Sequence, residues 1–137
     1  MIPETRQPST SSRSLAVAGA ALADAVLILL FAAIGRDAHQ RGDAITGVLF
    51  TAWPFLAGAA LAWAAARVWR APLAVRKAGL PVWLGAVAGG MVLRALTGQT
   101  VVIAFVIVAL VSLGLFLFGY RLLLTGLRRF GRLESQE

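Results

Sequence analysis

The chain predicts an all-α membrane protein, a bundle of four transmembrane helices. Three observations carry that expectation. Only 14% of the residues are charged and 59% are hydrophobic, whereas a soluble domain carries about 25% charged residues. The apolar residues fall into four blocks, each close to the roughly 20 residues that a helix needs to cross a hydrocarbon core. Short connections separate the blocks, so consecutive helices are expected to be antiparallel neighbours. The expected layout is a disordered cytoplasmic tail over residues 1–14, a transmembrane domain over 15–126 and a basic cytoplasmic tail over 127–137. The spans are placed at about 15–35, 45–66, 80–97 and 100–124.

The tail MIPETRQPSTSSRS is polar, holds two prolines and has too little apolar surface to fold by itself. Span one follows and contains one charge, Asp24. A carboxylate at a span's centre costs about 2.5–3.5 kcal/mol on the insertion scale. Ten large apolar residues between Leu15 and Ile34 together offset roughly 3–6 kcal/mol, so insertion is expected. Ala21-Leu22-Ala23 has the small-x-small form of a signal-peptide cleavage site. The apolar stretch before it is short and the run continues beyond it, which favours a span. The first connection reads RDAHQRGD, Arg36 to Asp43.

Ala44 to Ala66 is free of charge and forms span two, with Pro54 inside it. Proline removes a backbone donor, so a kink or hinge is expected near Trp53-Pro54-Phe55. The second connection, Arg67 to Gly79, carries four basic residues and Pro72. Span three starts at Leu80 and is interrupted by Arg94. Thr97 to Gln99, with Gly98, makes a tight turn into span four, which is uncharged from Thr100 to Tyr120. Small residues recur at four-residue spacing: Ala16, Ala20 and Asp24; Gly58 and Ala62; Gly85 and Gly89. In lipid such faces let helix backbones approach. Packing inside the bundle is the expected use, with a homodimer seam as the alternative.

Lys and Arg placement orients the chain. With the N-terminus inside, ten basic residues face the cytoplasm: Arg6, Arg13, Arg67, Arg70, Arg76, Lys77, Arg121, Arg128, Arg129 and Arg132. Three, Arg36, Arg41 and Arg94, face outward. The positive-inside rule then puts both termini in the cytoplasm. It also accounts for the net charge of +7 through headgroup contact, so nucleic acid is not an expected partner. Trp69 and Trp83 are expected as interface anchors.

The absence of cysteine removes disulfides, thiolate catalysis, Cys zinc sites and covalent haem. One histidine cannot ligate haem twice, and the one lysine, Lys77, lies in a connection. No nucleotide-binding or hydrolase motif is present. No cofactor, metal site or catalytic residue is expected, and an enzyme acting on a lipid or quinone through His39 and Asp24 ranks last among the functional readings.

The polar residues that remain are placed by depth. Asp24 lies about 16 Å below the outer end of span one and Arg94 about 6 Å below the end of span three. Arg36 and His39 sit at the outer boundary, and Trp53 lies in the outer half of span two. The expected site is therefore a cluster of Asp24, Arg36, His39, Trp53 and Arg94 around a cavity opening outward, with Asp24 at its floor. Intramembrane ionisable residues commonly mark ion paths and proton relays. That points to a proton- or ion-coupled carrier of a small solute. The alternative is a structural or accessory subunit whose polar groups fix helix packing or hold a partner helix or a lipid headgroup.

Four motifs carry a resemblance across all four spans. They are Asp24 with Phe31 and Gly35-Arg36-x-x-His39; Ala52-Trp53-Pro54-Phe55-x-x-Gly58; Gly90-Met91-x-x-Arg94; and Gly119-Tyr120-Arg121. Together they resemble the Domain of Unknown Function 3054 family. The last motif departs from the family pattern, which has Trp where Tyr120 stands. The resemblance implies a small four-helix protein of a prokaryotic cell membrane. It implies no activity, substrate or catalytic residue.

Overall fold

A computed structural model describes residues 10–37 and 43–136, with residues 10, 36 and 37 described by their backbone alone. Four long helices make up the described chain: α1 (Thr10–Asp37), α2 (Ala44–Ala65), α3 (Val75–Leu96) and α4 (Ile103–Glu134). Each is long and apolar enough to cross a membrane. Successive helices pack against each other and α4 closes the ring against α1. Large apolar side chains such as Leu22, Leu61, Val92 and Leu115 point outward all around the bundle. Water would disfavour that surface and hydrocarbon accommodates it.

Helical structure extends past the expected spans at three ends. Helix α1 begins at Thr10, inside the segment expected to be a tail, and α4 continues through Arg128, Arg129 and Arg132 to Glu134. Helix α3 begins at Val75 rather than Leu80. No proline intervenes between 10 and 14 or after Pro81, so nothing forces the helices to stop at the edge of the apolar runs. The connection after α2 turns on Arg67, which has a left-handed backbone with φ 50°. A single 3₁₀ turn over Val68–Arg70 follows. At the α3–α4 turn Gly98 takes φ 76°, a conformation that glycine adopts without strain.

The backbones of α2 and α3 come closest. A Cβ on Gly58 would collide with the Gly85 carbonyl oxygen, and one on Gly85 with the Ala62 methyl. A Cβ on Gly89 would lie 2.9 Å from the Gly58 Cα. The Gly58/Ala62 and Gly85/Gly89 faces are thus spent on each other within one chain. Helix α3 loosens into π turns at Val75–Gly79 and Gly85–Gly89. The second of these carries the contact with α2, and the first precedes Pro81, which has no N–H to donate. Helix α2 runs on as one helix through the buried Pro54.

The core is Ile28, Phe31, Ala52, Phe55, Val82, Ala86, Ala109, Leu113 and Leu117. Phe31 meets Phe55 edge-on with ring centroids 5.4 Å apart, and Phe105 lies 6.3 and 6.1 Å from the two. Trp83, expected as an interface anchor, packs between α3 and α4. Its Nε1 donates to the Leu110 carbonyl at 2.9 Å, in the space left by Gly114, and its ring meets Phe118 edge-on. Trp69, within the 3₁₀ turn, is exposed.

Candidate functional site

Asp24 faces the bundle interior with 2% of its surface exposed. The four-residue spacing Ala16–Ala20–Asp24 puts it on the same face as the buried Ala20. Its partner is Arg121, which is fully buried. The guanidinium grips the carboxylate with two hydrogen bonds, Nη1 to Oδ1 at 2.9 Å and Nη2 to Oδ2 at 2.8 Å. The Tyr120 hydroxyl donates to Oδ1 at 2.7 Å and the Trp63 indole to Oδ2 at 3.0 Å. Each carboxylate oxygen therefore accepts two hydrogen bonds.

Arg121 is held as fully. Its Nη1 also donates to the Leu117 carbonyl one turn back at 3.1 Å, and its Nε donates to the Pro72 carbonyl at 3.0 Å. The cation also lies 4.7 Å from the centre of the Tyr120 ring. One network thus joins α1, α2, α4 and the α2–α3 connection. Such a pair in a low-dielectric interior is sustained only when the remaining donors and acceptors are satisfied, and here nearly all of them are.

Arg94, at the other end, belongs to a separate arrangement. Its Nη1 donates to Gln99 Oε1 at 2.8 Å and its Nη2 to the Thr100 carbonyl at 2.9 Å, closing the α3–α4 turn. The guanidinium lies 4.6 Å from the centre of the Phe105 ring. Arg94 Nε and Gln99 Nε2 are buried and find no acceptor among the described residues. Beside them a cleft of about 420 Å³ is lined by Arg94, Gln99, Phe31, Phe50, Thr51 and Phe105, among others.

The expected single cavity is therefore two sites. Phe31 and Phe105, packed with Phe55, close the cleft beside Arg94. Asp24 lies two helical turns further along α1, about 10 Å beyond Phe31. Asp24 is tied through Arg121 to Pro72, at the end of the bundle opposite Arg94. Arg121, assigned from sequence to a cytoplasmic flank, is a core residue. Trp53 lies on the outward face of α2, 37% exposed, and joins neither group. Arg36 is in the last turn of α1, and His39 lies outside the described residues. A further pocket of about 320 Å³ between α1 and α2 is walled by Ala21, Ala25, Ala59 and Ala60, with Asp24 and Trp63 at its edge.

Sequence reasoning missed Arg121, Tyr120 and Trp63. The signal was present: Arg121 is followed by Leu122-Leu123-Leu124, so the apolar run does not end there. A buried acid also calls for a buried base.

A family model described as protein of unknown function DUF3054 matches residues 21–124, which includes Asp24, Trp63, Tyr120 and Arg121. No curated protein matches the chain, and no solved structure does.

Proposed function

The chain belongs to the DUF3054 family, and from that premise we propose that it is a non-enzymatic structural or accessory protein of a prokaryotic cell membrane. Both termini lie in the cytoplasm, and the Asp24–Arg121 pair clamps the bundle. One observation carries this reading: both carboxylate oxygens accept two hydrogen bonds each, and four of the five guanidinium N–H groups donate to partners within the chain. A carrier's coupling acid must release its partners to take up a proton or an ion. Here release would leave a guanidinium buried among Leu117, Tyr120 and Pro72 with its main acceptor lost, which is strongly unfavourable.

Proton and monovalent-ion flux into proteoliposomes tests the reading. The protein and its Asp24→Leu/Arg121→Met variant are expected to leave the membrane equally tight, the variant remaining folded. Flux that is present in the protein and lost in the folded variant overturns the reading in favour of an ion-coupled carrier.

That carrier is the second reading, and the cleft beside Arg94 favours it. Arg94 and Gln99 have donors to spare beside a space of about 420 Å³, enough for a small solute with an acceptor group. In this reading the aromatic trio is the barrier beneath the solute. Phe105→Ala would then raise solute flux, whereas the accessory reading expects no flux at all.

A further inference from the structure

At the end of the bundle that carries both chain termini, α1, the α2–α3 connection and α4 enclose a pocket of about 430 Å³. Arg128, Arg129 and Arg132 form its basic wall. Spaced by one, three and four residues, they lie on one face of α4 together with Thr125. The facing wall is Ala16 and the 71–74 segment.

Three properties distinguish this pocket from a solvated run of charge. None of its lining residues is acidic, and the three arginines form no ion pair among the described residues. The Thr125 hydroxyl donates to the Arg121 carbonyl at 2.8 Å, so recognition falls to the guanidinium groups. The facing wall is built, because Arg121 Nε holds the Pro72 carbonyl in place. The level is also distinctive. Ala16 stands where the apolar run of α1 opens, and Thr125 to Arg132 where that of α4 closes. Leu15 and Leu127 are exposed at the same level, 73% and 59%, which places hydrocarbon beside the basic wall.

We infer that this pocket binds the phosphate group of an anionic phospholipid, with Arg128, Arg129 and Arg132 as its ligands and the acyl chains lying against the leucines. Guanidinium groups match phosphate oxygens in geometry as well as charge, and basic pockets between membrane helices suit such headgroups. The site goes beyond the accessory reading and would serve a carrier equally. It shares with the clamp the Arg121–Pro72 contact and the Thr125 bond to the Arg121 carbonyl.

The test uses the full chain in phosphatidylcholine nanodiscs doped with phosphatidylglycerol, with retained lipid counted by native mass spectrometry. Retention of phosphatidylglycerol over phosphatidylcholine is expected. It should weaken at least tenfold in Arg128→Gln/Arg129→Gln/Arg132→Gln. The variant Arg67→Gln/Arg70→Gln/Lys77→Gln removes the same charge from the same end, where a second pocket lies, and should retain the lipid. Equal loss in both variants would reduce the effect to overall charge and overturn the site. Displacement of the lipid by millimolar inorganic phosphate would overturn the lipid assignment in favour of a free anion. Failure of the clamp variant Asp24→Leu/Arg121→Met to behave as proposed leaves these outcomes readable, because the three arginines are untouched.

Discussion

Arg121 meets Asp24 through two parallel hydrogen bonds of 2.9 and 2.8 Å across the α1–α4 seam, while Arg94 bonds only to the residues of its own turn. The two intramembrane arginines thus do different work. One fixes which helices touch, and the other fixes how two consecutive helices are joined. The clamp also explains why insertion tolerates Asp24. Once the bundle has formed, the acid and the base neutralise each other, and neither faces lipid.

Loss of one partner should be worse than loss of both. Removing one member of a buried pair costs about 3–5 kcal/mol because an unpaired charge remains. Replacing both by apolar residues of similar size is commonly neutral or stabilising by about 1–4 kcal/mol. Asp24→Leu alone and Arg121→Met alone are expected to lower the thermal midpoint in detergent sharply, and the double variant to recover most of it. A double variant less stable than either single one would mean that the pair stabilises beyond its own neutralisation.

The partners of Asp24 should rank by geometry. Tyr120→Phe removes one hydrogen bond and keeps the ring, for which about 0.6–2 kcal/mol is expected in a membrane interior. Trp63→Phe removes one hydrogen bond and also leaves a smaller ring, so it should cost somewhat more. Arg121→Lys should cost more than either. A lysine cannot reproduce the two-pronged grip together with the bonds to Pro72 and Leu117. Equilibrium unfolding followed by helical circular dichroism gives the order. A lysine variant as stable as the phenylalanine variants would show the fork to be dispensable.

The glycines should divide by what stands opposite them. A methyl on Gly58 has nowhere to go but into the Gly85 carbonyl, so Gly58→Ala should separate α2 from α3 and destabilise by about 1–3 kcal/mol or more. Nothing lies within 4 Å of the Cβ position at Gly126. There alanine should be neutral or stabilising, by up to about 1 kcal/mol of helix propensity. Thermal midpoints of the two variants check the contrast, and equal shifts would rule out the tight seam.

The number of helices, their approximate limits and the small-residue packing faces of α2 and α3 were legible because each has a one-dimensional signature: a length, an apolar run or a four-residue spacing; that those two faces meet each other was not. Asp24 was legible as a buried acid for the same reason. Its partners were not. Depth along each helix can be counted from sequence, but rotation about the helix axis cannot, and rotation decides that Asp24 turns to Arg121 rather than toward the outer end. Counting Arg121 among the flanking bases, although span four was placed to about residue 124, compounded this. The aromatic trio that separates the Arg94 cleft from Asp24 was hidden similarly. Phe31, Phe55 and Phe105 come from three helices and share no sequence pattern.

Moving Arg121 into the core weakens the orientation argument by one charge but leaves it standing. By the sequence count nine basic residues are still assigned to the end with the termini, against three to the other, so both termini are expected inside the cell. The absence of native cysteine makes this directly measurable. Ser135 follows α4, and Thr97 sits at the exposed α3–α4 turn, whose hydroxyl bonds only within its own helix end. A membrane-impermeant maleimide applied to intact cells should label Thr97→Cys and leave Ser135→Cys unreacted until the membrane is opened. The reverse pattern would put the three arginines of α4 outside the cell. The phosphate pocket would then face the outer leaflet, and the lipid available to it would have to be sought there.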